Sequence, residues 1–113
     1  MKDKMMQAEL SRGLKLSTVL REYIPDSTPN GFAIFMVVAQ KEGLAAGDLV
    51  DALDMPKSTI SRNLKKLSDR FSPHKEGLDL IRLEHDDADY RVRRAYLTQR
   101  GKAFLADITR ALS

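Results

Sequence analysis

Apolar residues recur at helical spacing along most of the chain, and the places where that spacing breaks divide it into successive elements. From about Lys4 to Tyr23, Leu10, Leu14 and Leu16, then Val19, Leu20 and Ile24, alternate with polar residues as one face of a helix does. Pro25 and the run PDSTPNG interrupt it, and Thr28 followed by Pro29 supplies a cap and a first-turn residue for a second helix. That helix carries Phe32, Phe35, Met36 and Ala39 and reads as largely buried, with Gly43 as its stop. Its Ile34, Val37 and Val38 leave a short strand as the alternative. In LAAGDLVDAL, from Leu44 to Leu53, Leu49, Ala52 and Leu53 share a face while Asp48 and Asp51 point to solvent. DMP is a tight connection, after which Pro56 opens a helix whose Ile60, Leu64 and Leu67 recur at steps of four and three. Two short helices joined by about three residues form a helix-turn-helix pattern.

Beyond Arg70 the period changes. FSPHKEG is polar, holds Pro73 and Gly77, and reads as a loop, whereas LDLIRLEH and YRVRRAYL read as two strands. Leu78, Leu80 and Leu83 would face Val92, Ala95 and Leu97 across a hairpin with Asp86, Asp87, Ala88 and Asp89 at its tip. Thr98 then caps a last helix marked by Phe104, Leu105, Ile108 and Leu112. The expected fold is mainly α with one small β-hairpin, in a single domain over residues 1–113.

Composition narrows the function. A chain of 113 residues is too short for a TIM barrel or a full dinucleotide-binding enzyme, and 42% hydrophobic residues suffice for one core. Without cysteine there is no disulfide, thiolate zinc site or cysteine nucleophile, and His74 and His85 alone make a poor metal set. Phe32 to Ala39 is too short to span a membrane, and MKDKMMQAEL mixes both charges where a signal peptide would be apolar, so a cytoplasmic protein is expected. The net charge of +3 is unevenly spread. Residues 1–54 hold six Lys/Arg against eight Asp/Glu, whereas residues 55–113 hold thirteen against eight. Five bases fall within 56–70 and five within 90–102.

Those two basic clusters coincide with the second helix of the pair and with the hairpin, so the partner they point to is double-stranded DNA. An exposed helix enters the major groove, and a basic hairpin reaches the backbone or the minor groove. Ser58, Thr59, Ser61 and Arg62 sit near the entering end, with Arg62 suited to a guanine edge or a phosphate. Lys57, Lys65 and Lys66 are phosphate candidates, and Asn63 joins them if its face is open. In the hairpin, strand alternation places Arg91 and Arg93 on one face and Arg94 on the other, with Asp86 or Asp89 as an ion-pair partner for Arg91. Arg100 and Lys102 default to local roles.

The chain also resembles the MarR family of winged helix-turn-helix transcription regulators, in a shortened form. The resemblance covers about residues 31–106 and is strongest in LVDALDMPKSTISRNLKKL and DDADYRVRRAYLTQRGKAF. It implies a homodimer whose two recognition helices read an inverted repeat, with terminal helices at the dimer interface and, in some members, a small-molecule effector. Here Tyr90 stands where the family commonly has arginine, FSPHKEGLDLIRLEH is longer than the usual link into the wing, and the chain stops at Ser113 where the family often has a further helix. Leu10, Leu14, Leu16 and Leu20 with Phe104, Leu105, Ile108 and Leu112 are the expected dimer interface, and Tyr23, Phe32, Phe35 and Met36 could line an effector pocket or simply form core.

No nucleophile, base and orienting acid form a catalytic constellation, and neither GxxxxGK[ST] nor GxGxxG occurs, so no enzyme and no cofactor are expected. Asp86, Asp87 and Asp89 beside arginines read as an ion-paired turn rather than a cation site. The competing reading is a winged-helix adaptor whose basic face receives an acidic protein.

Overall fold

The computed structural model describes residues 4–113, within which the sequence periodicity becomes five helices: α1 (Lys4–Tyr23), α2 (Pro29–Gln40), α3 (Ala46–Leu53), α4 (Lys57–Leu67) and α5 (Gln99–Leu112). Side-chain capping sets two of the starts. Thr28 accepts the Gly31 N–H at 3.4 Å with Pro29 in the first turn of α2, where a missing N–H leaves nothing unsatisfied. Thr98 accepts the Gly101 N–H at 2.9 Å and opens α5. Helix α3 stops where Asp54 turns left-handed, at φ 52°, and Pro56 leads into α4.

Five short strands accompany the helices: β1 (Leu44–Ala45), β2 (Arg70–Ser72), β3 (Lys75–Glu76), β4 (Ile81–His85) and β5 (Arg93–Leu97). The expected hairpin is β4–β5, antiparallel, with Ile81 opposite Leu97 and Leu83 opposite Ala95. Three details differ from the sequence reading. Periodicity puts Leu44 and Ala45 in a helix, but they pair with Ala95 and Arg94 as the other edge of a sheet ordered β1–β5–β4. Asp48 accepts the Ala45 N–H at 2.9 Å, so the helix begins just after it. FSPHKEG is not all loop, because β2 and β3 pair within it as a second, smaller hairpin. Leu78 and Leu80 precede β4 instead of joining it. Their N–H groups go to the carbonyls of Lys66 and Leu67 at 2.9 and 2.8 Å, satisfying the open C-terminal end of α4.

One continuous core collects Ile34, Phe35 and Val38 of α2, Leu49 of α3, Ile60, Leu64 and Leu67 of α4, Ile81, Ala95 and Leu97 of the sheet, and Phe104 and Ile108 of α5. Phe104 lies at its middle, its ring centroid 4.7 Å from that of Tyr23 and 4.6 Å from that of Phe35. Tyr23 keeps its polar end satisfied by donating its hydroxyl to Asp107 at 2.8 Å, which holds the phenol above its usual pKa. No buried side-chain polar atom among the described residues lacks a partner. No described helix is long and apolar enough to cross a membrane.

This packing corrects part of the interface expected at the chain's ends. Phe104 and Ile108 have no accessible surface, because the apolar stripe of α5 packs on its own α1 and reaches Phe35 of α2, and neither is free to meet a second copy. Leu16, Leu20 and Leu105 are half-buried against the same core. Only Leu10, Leu14 and Leu112 of that set are exposed. Tyr23 and Phe35 are likewise committed to the Phe104 stack, and Phe32 and Met36 pack on the core at its margin.

Candidate nucleic-acid interface

The faces of α4 separate the basic residues that the sequence groups together. Ile60, Leu64 and Leu67 anchor the helix in the core. On one flank, Lys57, Ser61 and Lys65, one turn apart, line an open groove of about 820 Å³ whose opposite wall is Leu83, Arg91, Val92 and Arg93 of the β4–β5 hairpin. Ala46, Gly47 and Asp48 at the start of α3, with Val50 and Asp51, also line it. Ser58 and Arg62 face outward and are exposed. The Arg62 guanidinium lies 5.4 Å from the ring centroid of Phe71 in β2.

The remaining candidates on α4 are turned inward. Lys66 donates to the Asp26 carbonyl at 3.0 Å and ties α4 to the α1–α2 turn. Asn63 donates to the Thr59 carbonyl at 2.9 Å, and its amide oxygen lies beside Gly31 of α2. Thr59 is half-buried along the same line. These three sit at spacings of four and three, the row that packs on α2.

Alternation in β5 divides the arginines of the hairpin as expected, Arg93 lining the groove and Arg94 pointing to the other face. Arg94 is engaged twice. It pairs with Asp86 at 2.7 Å and donates to the Gly43 carbonyl at 2.8 Å, clamping the hairpin to the turn after α2. Arg91 pairs with Asp89 at 3.2 Å yet remains almost fully exposed. At the tip, the His85 ring stacks on Tyr90 with centroids 4.0 Å apart, filling the position where arginine would have been expected. Arg100 donates to the Leu78 carbonyl at 2.9 Å, a local role.

Asp86 is held below the usual carboxylate range, first by the Ala88 N–H and then by Arg94. Asp89 is lowered too, first by the Arg91 side chain. A depressed carboxylate stabilises in full above its unfolded value and loses that contribution as the pH falls through the folded value, so the hairpin tip should hold at neutral pH and loosen only below about pH 4. The side-chain carboxyl carbon NMR shifts of Asp86 and Asp89 are expected to stay constant from pH 7 to about 4.5 and to move only below about pH 4. Asp86→Asn should displace the amide shifts of residues 43–45, on the far side of the Arg94 clamp, already at pH 7, and unchanged shifts there would contradict the clamp.

Two helices meeting at a tight turn, followed by a hairpin that adds to a strand from just before them, define a winged helix-turn-helix. A family described as a helix-turn-helix domain matches residues 27–70. The transcriptional regulator HosA from Escherichia coli is 32% identical over 83 residues, which make up 74% of this chain and 56% of that protein. The chain therefore spans little more than half the length of these relatives. A MarR transcriptional regulator from Methanosarcina mazei Go1 superposes with a TM-score of 0.66 at 21% identity, over 96% of this chain and 68% of that one. The S. aureus MepR–DNA complex gives 0.72 at 22% identity, over 96% and 73%. At such identities it is the fold that is shared. The chain has the MarR-like winged helix-turn-helix fold.

Proposed function

We propose that this chain is a transcription regulator that binds double-stranded DNA, with α4 as the recognition helix in the major groove and the β4–β5 hairpin as a wing on the neighbouring backbone or minor groove. The observation that carries this reading is the shared groove, in which Lys57 and Lys65 of α4 face Arg91 and Arg93 of the wing. Helix α4 has eleven residues, and a helix diameter of about 10–12 Å fits a major groove about 12 Å wide. Ser58, Ser61 and Arg62 are the base-reading candidates. Thr59, Lys66 and Arg94 hold the reading head in place instead of touching DNA. The similarity to a protein solved with DNA bound supports the same reading.

We propose further that the protein acts as a homodimer, through the exposed Leu10 and Leu14 of α1 and Leu112 of α5. These two helices lie against each other in the fold, so their uncovered leucines belong to one end of the molecule. Exposed leucines on paired helices are a ready interface. The place for a small-molecule effector is an open hollow of about 370 Å³ between α1 and α2, bounded by Leu20, Ile24, Pro29 and Phe32.

Salt dependence tests the DNA reading. With four phosphates neutralised per protomer by Lys57, Lys65, Arg91 and Arg93, and so about eight per dimer, log K should fall with log salt at a slope of about −7, a loss of roughly 10⁴-fold between 50 and 200 mM. Lys65→Ala, which removes one contact from each protomer, should lower that slope by about 2 in fluorescence-anisotropy titrations, whatever the sequence. Absence of duplex binding at 50 mM salt would overturn the reading, and retention of an acidic protein instead would favour the adaptor.

A further inference from the structure

The β2–β3 hairpin is an excursion from the end of α4 that returns to the place it left. Three consecutive carbonyls at that end, of Lys66, Leu67 and Ser68, receive the N–H groups of Leu78, Leu80 and Asp79 at 2.9, 2.8 and 3.0 Å. The Gly77 N–H bonds the Asp69 carbonyl at 3.0 Å, and a Cβ at Gly77 would collide with the Ser68 carbonyl. Ser68, the buried polar residue at this junction, donates its hydroxyl to the Lys65 carbonyl at 2.7 Å. The hairpin is therefore bolted to the helix, and its side chains keep a fixed position relative to α4.

What it presents to α4 is an aromatic face. Phe71 is half-buried, with the Arg62 guanidinium 5.4 Å from its ring centroid and the Lys75 ammonium at 5.5 Å. Arg62 has no carboxylate partner among the ion pairs of the described residues, and its charge lies against the Phe71 ring instead. A ring contact of this kind takes up none of the guanidinium N–H donors in a conventional hydrogen bond, whereas a carboxylate would occupy the donors that a guanine edge or a phosphate needs. An exposed arginine on a helix otherwise samples many rotamers, and ordering it on binding costs affinity.

We infer that Phe71 is a positioning residue, which holds the Arg62 guanidinium in place so that the β2–β3 hairpin and the recognition helix read DNA as one unit. This rests on the DNA reading proposed above and adds to it a residue outside both the recognition helix and the wing. The contribution expected of a largely exposed cation–π contact is about 2- to 5-fold.

The test uses the full chain, a duplex enriched from a random library, and variants of that duplex changed at the base pair whose preference disappears in Arg62→Ala. Phe71→Leu keeps apolar bulk without a π face, and Phe71→Trp keeps the face. Phe71→Leu should lose about 2- to 5-fold of the discrimination at that one base pair while binding elsewhere is unchanged, and Phe71→Trp should retain it. In the Arg62→Ala background, Phe71→Leu should have no further effect on discrimination. Equal discrimination by wild type and Phe71→Leu would overturn the inference, as would equal losses in Phe71→Leu and Phe71→Trp, which would mark bulk and not the aromatic face as the requirement. Either result leaves DNA binding itself intact. Failure of the wild type to bind any duplex would instead remove the reading on which the inference rests.

Discussion

Phe104→Ala is expected to lower the unfolding free energy by about 3–5 kcal/mol, a large share of the roughly 5–15 kcal/mol available to a domain of this size. The ring has no accessible surface, and its removal opens a cavity where α1, α2 and α5 meet. Two aromatic contacts go with it, those to Tyr23 and Phe35, and α2 and α5 are held by their packing on β5, which limits collapse into the space. Thermal unfolding followed by circular dichroism should show a midpoint lower by roughly 12–20 °C. A loss below about 1 kcal/mol would mean that Phe104 is not central to the core and would restore it as a candidate for contact with a second copy.

Arg62→Ala is expected to have the largest effect on recognition. A bidentate arginine–guanine contact is worth about 1–3 kcal/mol of discrimination, or about 5- to 150-fold against the wrong base. Arg62 is the exposed cation on the outward face of α4, whereas Lys66 on the same helix is spent on the Asp26 carbonyl. The substitution should therefore flatten the preference at one base pair in each half-site. Lys66→Ala should leave the preference unchanged and act, if at all, through the junction of α1 and α2. Competition binding between the preferred duplex and its single-base variants reads this directly. Unchanged preference in Arg62→Ala would assign base reading to another residue.

Much of this was legible in the residues because helices announce their faces. The Ile60, Leu64 and Leu67 row and the Thr28–Pro29 and Thr98 caps appear in the structure where the pattern puts them. The misses share a cause, namely partners distant in sequence. Nothing in Leu44 and Ala45 marks a strand, because what makes them one is β5, some fifty residues further on. The apolar row of α5 is plain in the sequence, but a stripe does not say whether its own core or a second copy covers it, and Phe104 and Ile108 proved to be core. Alternation separates Arg93 from Arg94 correctly, yet which one faces the groove depends on Asp86 and the Gly43 carbonyl, which capture Arg94. The β2–β3 hairpin was hidden because its strands are short, polar and broken by Pro73, so composition reads as loop. An aromatic residue in that otherwise polar run, Phe71, was the one available signal.

The central claim, that α4 reads duplex DNA in a paired molecule, is tested most directly by selecting bound sequences from a random duplex library at low salt, with the wild type and Arg62→Ala in parallel. The account predicts that the wild type enriches an inverted repeat with half-sites about one helical turn apart, or a multiple of it. In Arg62→Ala the same repeat should lose its preference at one symmetric position. Recovery of no common sequence by the wild type, or an enriched site without inverted symmetry that Arg62→Ala reads equally well, would contradict it.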